Sequence, residues 1–265
     1  MIGRTHPALR RIRELRKDRR AREAQRVFLA EGIHLAEDAL ASGADVELAV
    51  VSPRLGASEQ GLAVRLRLEQ AGVPLLETAD KVLDTVADAR SPQPVMLVVR
   101  ARTFTLDEAI AGRGAPSLVA VVHGVQDPGN LGAVLRTADA ASATGFVAAG
   151  AGSDLHHPRT VRATAGSIFR LPAATCQGQE IFPRLAERGI RCIGADPRSP
   201  KDFTSVALDG PVALFLGGEG AGLPPSWLSR MDERVKIPMH PGVESLSIGA
   251  AAAVLLFEAR RQRNR

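Results

Sequence analysis

Short apolar runs alternate with stretches of helical periodicity through the second half of the chain. Five such runs occupy residues 118–122, 146–149, 190–194, 212–216 and 235–239. Buried strands that alternate with helices are typical of a parallel sheet covered by helices on both faces. The pattern therefore predicts an α/β fold with a mostly parallel sheet in this half of the chain.

The first hundred residues predict a smaller α/β domain. Leu9, Ile12 and Leu15 recur at three-residue steps, which favours one helix over residues 7–26 with a narrow apolar stripe and a broad basic face. Further helical stretches are expected at 32–40, before Gly72 and at 80–89, and strand-like runs at 46–51, 73–76 and 95–99. The segment around Gly112, Gly114 and Pro116 has no long apolar run and is the best linker candidate. We therefore expect an N-terminal domain over 1–103, a linker over 104–117 and a larger domain over 118–265.

The 265 residues carry a formal charge of +5, but the charge is uneven. Residues 1–26 hold ten Arg and Lys, including Arg10 and Arg11, against three acids, a local charge of +7, and the rest of the chain sums to −2. Such asymmetry favours a polyanionic partner, nucleic acid before membrane. A solvated, Arg-rich helix without a partner is the alternative on charge alone.

The absence of several sequence motifs disfavours some classes of protein. Cys176 and Cys192 lie in apolar stretches without a second cysteine or a histidine at metal-ligand spacing, so we expect core thiols and no metal. His156 and His157 also lack a carboxylate or cysteine at that spacing. Neither a Gly-x-Ser-x-Gly nor a His-Glu-x-x-His sequence occurs, which disfavours triad hydrolases and zinc proteases. No apolar run reaches membrane-spanning length and no secretory signal is recognised, so a cytoplasmic location is expected, although an Arg-rich transit peptide stays open.

Three loops that follow predicted strands contain unusual sequence, and in α/β sheets ligands bind at the carboxyl ends of strands. The first loop, residues 123–132, leads into a helix for which Asn130 is a suitable N-cap. The apolar stripe of that helix is formed by Leu131, Leu135 and Ala138, and Arg136 lies off the stripe. An Arg here can hold a phosphate through two parallel hydrogen bonds. A surface salt bridge is the alternative.

The second loop, residues 216–224, places four glycines around Glu219. Glycines let the backbone approach a ligand closely. The loop is neither a phosphate P-loop nor a dinucleotide fingerprint, because no Lys-Ser or Lys-Thr follows it and it does not follow the first strand. A glycine-rich turn in which Glu219 caps the next helix is the alternative.

The third loop starts at Ile237-Pro238-Met239 and ends in a helix that opens with small residues, Gly249 followed by four alanines. Small residues allow another backbone to approach, so tight packing against a helix, a loop or a partner subunit is the plainer interpretation.

Taken together and in this order, the three loops resemble the motifs of the SpoU (TrmH) family of RNA ribose 2′-O-methyltransferases, in the SPOUT class. The first motif, N-x-G-x-x-x-R-T-A, is matched by Asn130, Gly132, Arg136, Thr137 and Ala138. The second, G-x-E-x-x-G-L, is matched by Gly217, Glu219, Gly222 and Leu223. The third, I-P-M followed by S-L-N-V-S, is matched by Ile237, Pro238, Met239, Ser245 and Leu246, with Ser247 and Gly249 in place of the usual Asn and Ser.

The resemblance covers residues 118 to about 260, and residues 162–167 also look like the family's segment between the first two motifs. Residues 7–100 more loosely resemble the small ribosomal-protein-like substrate-binding domain that many members carry. The resemblance implies a C-terminal α/β domain with a deep trefoil knot, S-adenosylmethionine as cofactor and a homodimer whose second subunit completes the site.

The resemblance also implies roles for particular residues. The implied catalytic residues are Asn130, Arg136, Glu219 and Ser247. The implied cofactor-binding residues are Leu216, Gly217, Gly218, Glu219, Ile237, Met239, Ser245, Leu246 and Ser247. Arg10, Arg11, Arg136, Arg159 and Arg162 are the expected RNA-binding residues.

The implied activity is methyl transfer to a ribose 2′-hydroxyl of structured RNA, with large-subunit rRNA favoured over tRNA. Only 3% of residues are aromatic, so we expect recognition by shape and phosphate contacts rather than by extensive base stacking. Two other classes stay open at this stage. One is a catalytically silent RNA-binding or ribosome-assembly factor of the same fold, and the other is an enzyme that methylates a base nitrogen.

Overall fold

The structure is a computed structural model that describes residues 1–89, 91–112 and 116–264. Two compact units are present. The first comprises Met1–Arg102 together with Asp154–Phe169, and the second comprises Thr103–Ser153 together with Arg170–Arg265. A segment from the second half of the chain is therefore part of the first unit.

The described residues form ten strands and eleven α-helices. The strands are β1 Val27–Glu31, β2 Val46–Val51, β3 Leu75–Glu77, β4 Val95–Arg100, β5 Leu118–His123, β6 Gly145–Ala149, β7 Ala173–Cys176, β8 Arg191–Ala195, β9 Val212–Gly217 and β10 Glu233–Val235. The helices are α1 Pro7–Lys17, α2 Arg19–Gln25, α3 Ile33–Ala41, α4 Glu59–Gln70, α5 Asp80–Leu83, α6 Leu106–Ala111, α7 Pro128–Ala140, α8 Pro158–Ala163, α9 Ile181–Glu187, α10 Pro225–Leu228 and α11 Ile248–Arg263.

The first unit is built on a four-stranded mixed sheet in the order β1-β4-β2-β3. Strand β4 runs antiparallel to both β1 and β2, and β2 runs parallel to β3. One core cluster contains Leu9, Ile12 and Leu15 of α1, and the other contains residues of α3 and α4. Val161 of α8 is fully buried in this second cluster. The sheet is thus covered on both faces, as an α/β domain requires.

Two local predictions in the first unit are wrong. The helix expected over 7–26 is two helices, because Asp18 leaves the helical conformation and its carboxylate accepts the backbone N–H of Arg20 at 2.8 Å. Asp18 therefore acts as the N-cap of α2. The helix expected over 80–89 ends at Leu83, and residues beyond it form turns.

The second unit contains a six-stranded sheet in the order β10-β8-β9-β5-β6-β7, in which every strand pair is parallel. This confirms the α/β fold with a mostly parallel sheet. Strand β7 was not predicted. The last strand is predicted over 235–239, but the observed strand β10 ends earlier. Its ladder with β8 ends at Val235, and Pro238 has no N–H to donate to a ladder.

The segment expected to be a linker contains a helix. Ala109 and Ile110 of α6 are fully buried in the core of the second unit. Gly114 and its two neighbours lie outside the described residues. The domain bounds of 1–103, 104–117 and 118–265 stay predictions, as does the trefoil knot. In the part of the chain that is described, no helix has the length and apolar character needed to cross a membrane.

Candidate active site

Two of the three unusual loops meet at one edge of the parallel sheet. Strands β5 and β9 are neighbours, and their last residues, His123 and Gly217, lie opposite each other. Parallel strands have their carboxyl ends at the same edge, so the first and second loops leave the sheet side by side. The third loop follows β10, whose carboxyl end lies at the same edge two strands away from β9.

The first loop enters α7 one turn earlier than the sequence predicts. Asp127 is the N-cap, its carboxylate accepts the backbone N–H of Asn130 at 3.0 Å, and Pro128 occupies the first helical position. Aspartate at the cap and proline at the first position are both favoured by the free N–H groups of a helix start. Asn130 is therefore not the cap, and its side chain is available for another contact.

That contact joins the first loop to the second. The side-chain amide of Asn130 donates a hydrogen bond to the carboxylate of Glu219. Glu219 is exposed and Asn130 is half-buried. Glu219 does not cap the following helix, because α10 has Pro224 as its N-cap and no side-chain cap bond. The bond fixes Glu219 beside the first turn of α7.

Two glycines of the second loop lie where a side chain cannot fit, and a third has a backbone conformation that favours glycine. A Cβ added to Gly217 would lie 2.0 Å from the carbonyl carbon of Gly222 and 2.3 Å from the backbone nitrogen of Leu223. A Cβ on Gly218 would lie 2.6 Å from the carbonyl oxygen of Gly124. Gly222 has a φ of 64°, a conformation that favours glycine. The loop thus folds back on itself with its backbone pressed against the first loop.

A histidine and a tryptophan support this edge of the sheet. The ring centroids of His123 and Trp227 lie 4.5 Å apart, and the backbone N–H of Gly218 donates to the carbonyl of His123 at 2.8 Å. Burial lowers the pKa of His123 below its ordinary value, which favours the neutral ring. A functional role for these two side chains is not predicted from sequence, although the position of His123 at the end of an apolar run is a usable signal.

Arg136 lies on α7, six residues beyond Asn130, and its side chain is exposed. Within residues 1–89, 91–112 and 116–264, the guanidinium has neither a hydrogen-bond nor an ion-pair partner. The surface salt bridge considered from sequence is therefore absent from this part of the chain. The nearby Asp139 instead pairs with Arg170 at 2.9 Å.

The third loop presents mostly exposed residues. Ser245, Leu246 and Ser247 are exposed, whereas Ile237 and Met239 are half-buried. Ser247 is the N-cap of α11, and its hydroxyl accepts the backbone N–H of Ala250 at 3.2 Å. Helix α11 packs against α7 and β9, which holds the end of the third loop to the elements that carry the other two.

Gly249 does not serve close packing within the described chain. A Cβ added to it would meet nothing within 4 Å. Packing against a helix or loop of the same subunit therefore does not account for the glycine at this position.

The other arginines expected to bind RNA lie in the first unit. Arg10 and Arg159 are exposed. Arg11 forms an ion pair with Glu47, and this hydrogen bond lowers the pKa of the Glu47 carboxyl. Arg162 forms an ion pair with Asp88 at 2.9 Å. Their role in RNA binding stays a prediction.

The cysteines and histidines form no metal site in the described part of the chain, where no group of three potential ligands occurs. Burial raises the pKa of both Cys176 and Cys192 to about 12, so these thiols are protonated and unreactive at neutral pH.

Two family models match the chain. The model of the SpoU rRNA Methylase family matches residues 117–257, and the model of the MRM3-like substrate binding domain matches residues 6–97. These two matches define a methylase class with a substrate-binding domain. The chain belongs to the SpoU rRNA Methylase family.

Relatives cover most of the chain. The 23S rRNA (guanosine-2′-O-)-methyltransferase RlmB of Ralstonia nicotianae is 34% identical over 199 residues, which are 74% of this chain and 80% of the relative. The 23S rRNA (guanosine(2553)-2′-O)-methyltransferase RlmP of Bacillus subtilis is 27% identical and covers 91% of this chain and 92% of its own length. The solved structure of an AdoMet-bound rRNA methyltransferase from Sinorhizobium meliloti is 30% identical, with a TM-score of 0.87 over 98% of this chain and 97% of its own.

Proposed function

We propose that this chain transfers a methyl group from S-adenosylmethionine to a ribose 2′-hydroxyl of 23S rRNA. The observation that carries the proposal is the bond between Asn130 and Glu219, which joins the first two family motifs beside the glycine-rich loop. Family membership and relatives that act on 23S rRNA support the substrate class.

The residues of this edge fit the cofactor. The glycines at 217 and 218 lie where a Cβ would collide with backbone, so the loop offers main-chain groups to a ligand without side chains in between. The proposed binding residues are those of the second and third loops, namely Leu216, Gly217, Gly218, Glu219, Ile237, Met239, Ser245, Leu246 and Ser247. When bound, S-adenosylmethionine supplies a methyl group on a positively charged sulfur.

Arg136 has the task of positioning the RNA. In-line displacement requires the ribose oxygen to be aligned with the methyl carbon, and a fixed phosphate next to that ribose achieves the alignment. A guanidinium binds phosphate through two parallel hydrogen bonds, and the Arg136 guanidinium has no competing partner among the described residues. A guanidinium stays protonated at neutral pH and does not act as a base, so the proton of the hydroxyl leaves to water or to phosphate.

The other proposed catalytic residues shape the site. Asn130 and Glu219 hold the start of α7 to the second loop, and Ser247 fixes the end of the third loop as the cap of α11.

A homodimer that completes the site is part of the proposal. Val243, Leu246 and Phe257 are 50%, 40% and 45% exposed. Val243 and Leu246 belong to the third loop and Phe257 to α11, which starts where that loop ends, so these exposed apolar side chains support an interface there. A second subunit is the partner we propose, and the cytoplasm is the expected location.

The test is transfer of labelled methyl from S-adenosylmethionine to separated 23S rRNA, 16S rRNA and tRNA. We expect label in 23S rRNA and its loss in Arg136→Ala. A folded chain that binds rRNA and labels none of the three fractions would overturn the proposal and favour a silent RNA-binding factor. Label confined to tRNA would overturn the choice of substrate.

A further inference from the structure

Two sets of cations in the first unit differ in their partners, and others, such as Arg67 of α4 and Lys81 of α5, belong to neither set. In one set each guanidinium forms an ion pair with a carboxylate of the same unit. This set contains Arg11 with Glu47, Arg19 with Glu23, Arg22 with Asp154, Arg54 with Asp80 and Asp84, Arg65 with Glu69 and Glu77, Arg100 with Asp45 and Glu47, and Arg162 with Asp88. Such charges are largely neutralised within the protein.

The second set lies on and beside α1. Arg10, Arg13 and Lys17 are spaced i, i+3 and i+7, so they share one face of this helix. The opposite face is formed by Leu9, Ile12 and Leu15, which are fully buried. Arg10 and Lys17 are exposed and point away from the core, whereas Arg13 is half-buried and also donates to the hydroxyl of Thr85 at 3.4 Å.

One more arginine lies beside this face. Arg13 donates to the carbonyl of Arg4 at 3.0 Å, which places the backbone of Arg4 beside the helix. Arg16 follows Ile12 by four residues, so it lies on the side of the buried stripe, and its guanidinium donates to the carbonyl of Ala87 at 2.6 Å. We call Arg4, Arg10, Arg13 and Lys17 the α1 cationic face. In the described ranges none of the four forms an ion pair with a carboxylate.

We propose that the α1 cationic face binds the phosphate backbone of the RNA substrate, independently of base sequence. The inference rests on the proposed function, because that function supplies an RNA substrate. The face offers guanidinium and ammonium donors and no aromatic side chain, which suits phosphates and does not suit base stacking. From Arg10 to Lys17 the helix rises about 10 Å, so the face reaches more than one phosphate of a strand.

A membrane surface fits the α1 cationic face less well. Helices that lie on anionic membranes bury a row of large apolar side chains among the lipids. The large apolar residues of α1 are instead 0% exposed within the protein. The helix therefore has a cationic face without the apolar face that membrane insertion requires.

Arg11 differs from its neighbours although it lies on the same helix. Its guanidinium is held by the carboxylate of Glu47 and by the side-chain oxygen of Gln25 at 2.7 Å. Phosphate would have to compete with that carboxylate. For this reason Arg11 is not included in the α1 cationic face.

The experiment measures binding of the full chain to 23S rRNA fragments over a series of salt concentrations. The test variant is the double substitution Arg10→Gln with Lys17→Gln, two exposed residues that make no side-chain hydrogen bond in the described part of the chain. Each lost phosphate contact reduces the slope of log affinity against log salt by about 1. We expect a slope lower by about 2 and an affinity at least tenfold weaker at low salt.

The matched control is the double substitution Arg67→Gln with Lys81→Gln. Both residues are exposed in the same unit, on α4 and α5, and form no ion pair among the described residues. The control removes the same charge from a different surface. We expect it to keep the slope of the unmodified chain within experimental error.

Several outcomes would overturn the inference. Equal losses in the test and control variants would mean that net charge, rather than this face, drives binding. An unchanged slope in the test variant would mean that phosphates are bound elsewhere. Loss of binding to phosphatidylserine vesicles, with rRNA binding intact, would assign the face to a membrane.

The proposed function is tested separately, by single-turnover methyl transfer at saturating RNA. There the control variant is expected to reach the rate of the unmodified chain, because its substitutions lie outside both the proposed active site and the α1 cationic face. Absence of transfer in both, with the change in salt slope present, would refute the proposed activity and leave the RNA-binding face in place.

Discussion

The side-chain amide of Asn130 donates to the carboxylate of Glu219, 89 residues further along the chain. Asn130 lies in the first turn of α7 and Glu219 in the loop after β9. Both elements start from neighbouring strands of the parallel sheet, so the bond closes the space between two loops that leave the same edge. The arrangement of the proposed site depends on this closure.

The first prediction reverses this bond. Asn130→Asp places two carboxylates together, and we expect the kcat of methyl transfer to fall at least tenfold, since a hydrogen bond to a charged group contributes about 1.5–3 kcal/mol and like charges repel. Combining it with Glu219→Gln restores a donor and an acceptor in reversed order. Recovery of most of the kcat in the double variant is expected. A double variant no better than Asn130→Asp alone would show that the bond is not what the site needs.

The second prediction concerns the shape of the Arg136 side chain. Arg136→Lys keeps the charge but loses the planar pair of donors, so we expect kcat to fall by about 10²-fold or more, as for loss of one oriented stabilising group. The side chain is exposed, so the free energy of unfolding should change by less than about 0.5 kcal/mol. Steady-state methyl transfer and chemical denaturation measure the two effects. Unchanged turnover in Arg136→Lys would refute the proposed phosphate clamp.

The third prediction uses the glycines. Gly217→Ala puts a Cβ 2.0 Å from the backbone of Gly222, where neither atom can move without opening the loop. Affinity for S-adenosylmethionine, measured by calorimetry, should fall at least tenfold. Gly210→Ala is the control, because a Cβ there meets nothing within 4 Å. Equal affinities of the two variants would exclude the second loop as the cofactor site.

The fourth prediction concerns a buried ion pair of the first unit. Arg22, which is 3% exposed, pairs with Asp154 at 2.8 Å. Removing one partner leaves a buried charge without compensation, which costs about 3–5 kcal/mol. Arg22→Met should therefore lower the free energy of unfolding by about that much, and adding Asp154→Asn should recover part of it. Urea denaturation of the three chains gives these values, and additive losses would contradict coupling between the two side chains.

The fifth prediction concerns acid. The ring of His156 stacks on Phe28 with centroids 5.0 Å apart, and burial lowers its pKa. Unfolded histidine has a pKa of about 6.5. Below that pH the unfolded state binds a proton that the folded state excludes, so stability falls by up to about 1.4 kcal/mol per pH unit. The decline ends once the pH passes below the folded pKa.

Urea denaturation between pH 7.5 and 5 tests this fifth prediction. His156→Phe keeps a ring against Phe28 and should have a shallower pH dependence. Because burial also lowers the pKa of His123 and His157, some slope will remain. A slope in His156→Phe as steep as in the unmodified chain would contradict the prediction.

Local sequence signals predicted much of the fold. The apolar runs identified β5, β6, β8 and β9, and the buried stripe of α7 formed by Leu131, Leu135 and Ala138 is confirmed. What local signals missed depends on competing caps or on distant pairing. Asp127 and Asp18 are the N-caps of α7 and α2, and periodicity alone does not reveal these caps. The end of β10 is set by its pairing with β8.

The candidate site shows the same limit. The three loops were identified from their residues, and the parallel sheet places them at one edge. The contact between Asn130 and Glu219 joins chain segments that are far apart in sequence. The same is true of residues 154–169, which belong to the first unit. Neither spacing nor composition reveals such distant contacts.

The position of the transferred methyl group tests the central claim most directly. Labelled 23S rRNA from the methyl-transfer reaction is digested with alkali, which cleaves next to a free 2′-hydroxyl and leaves a 2′-O-methylated linkage intact. The account predicts the label in an alkali-resistant dinucleotide. Label recovered in mononucleotides would mean that a base is methylated, and would contradict the assignment of this site to the ribose.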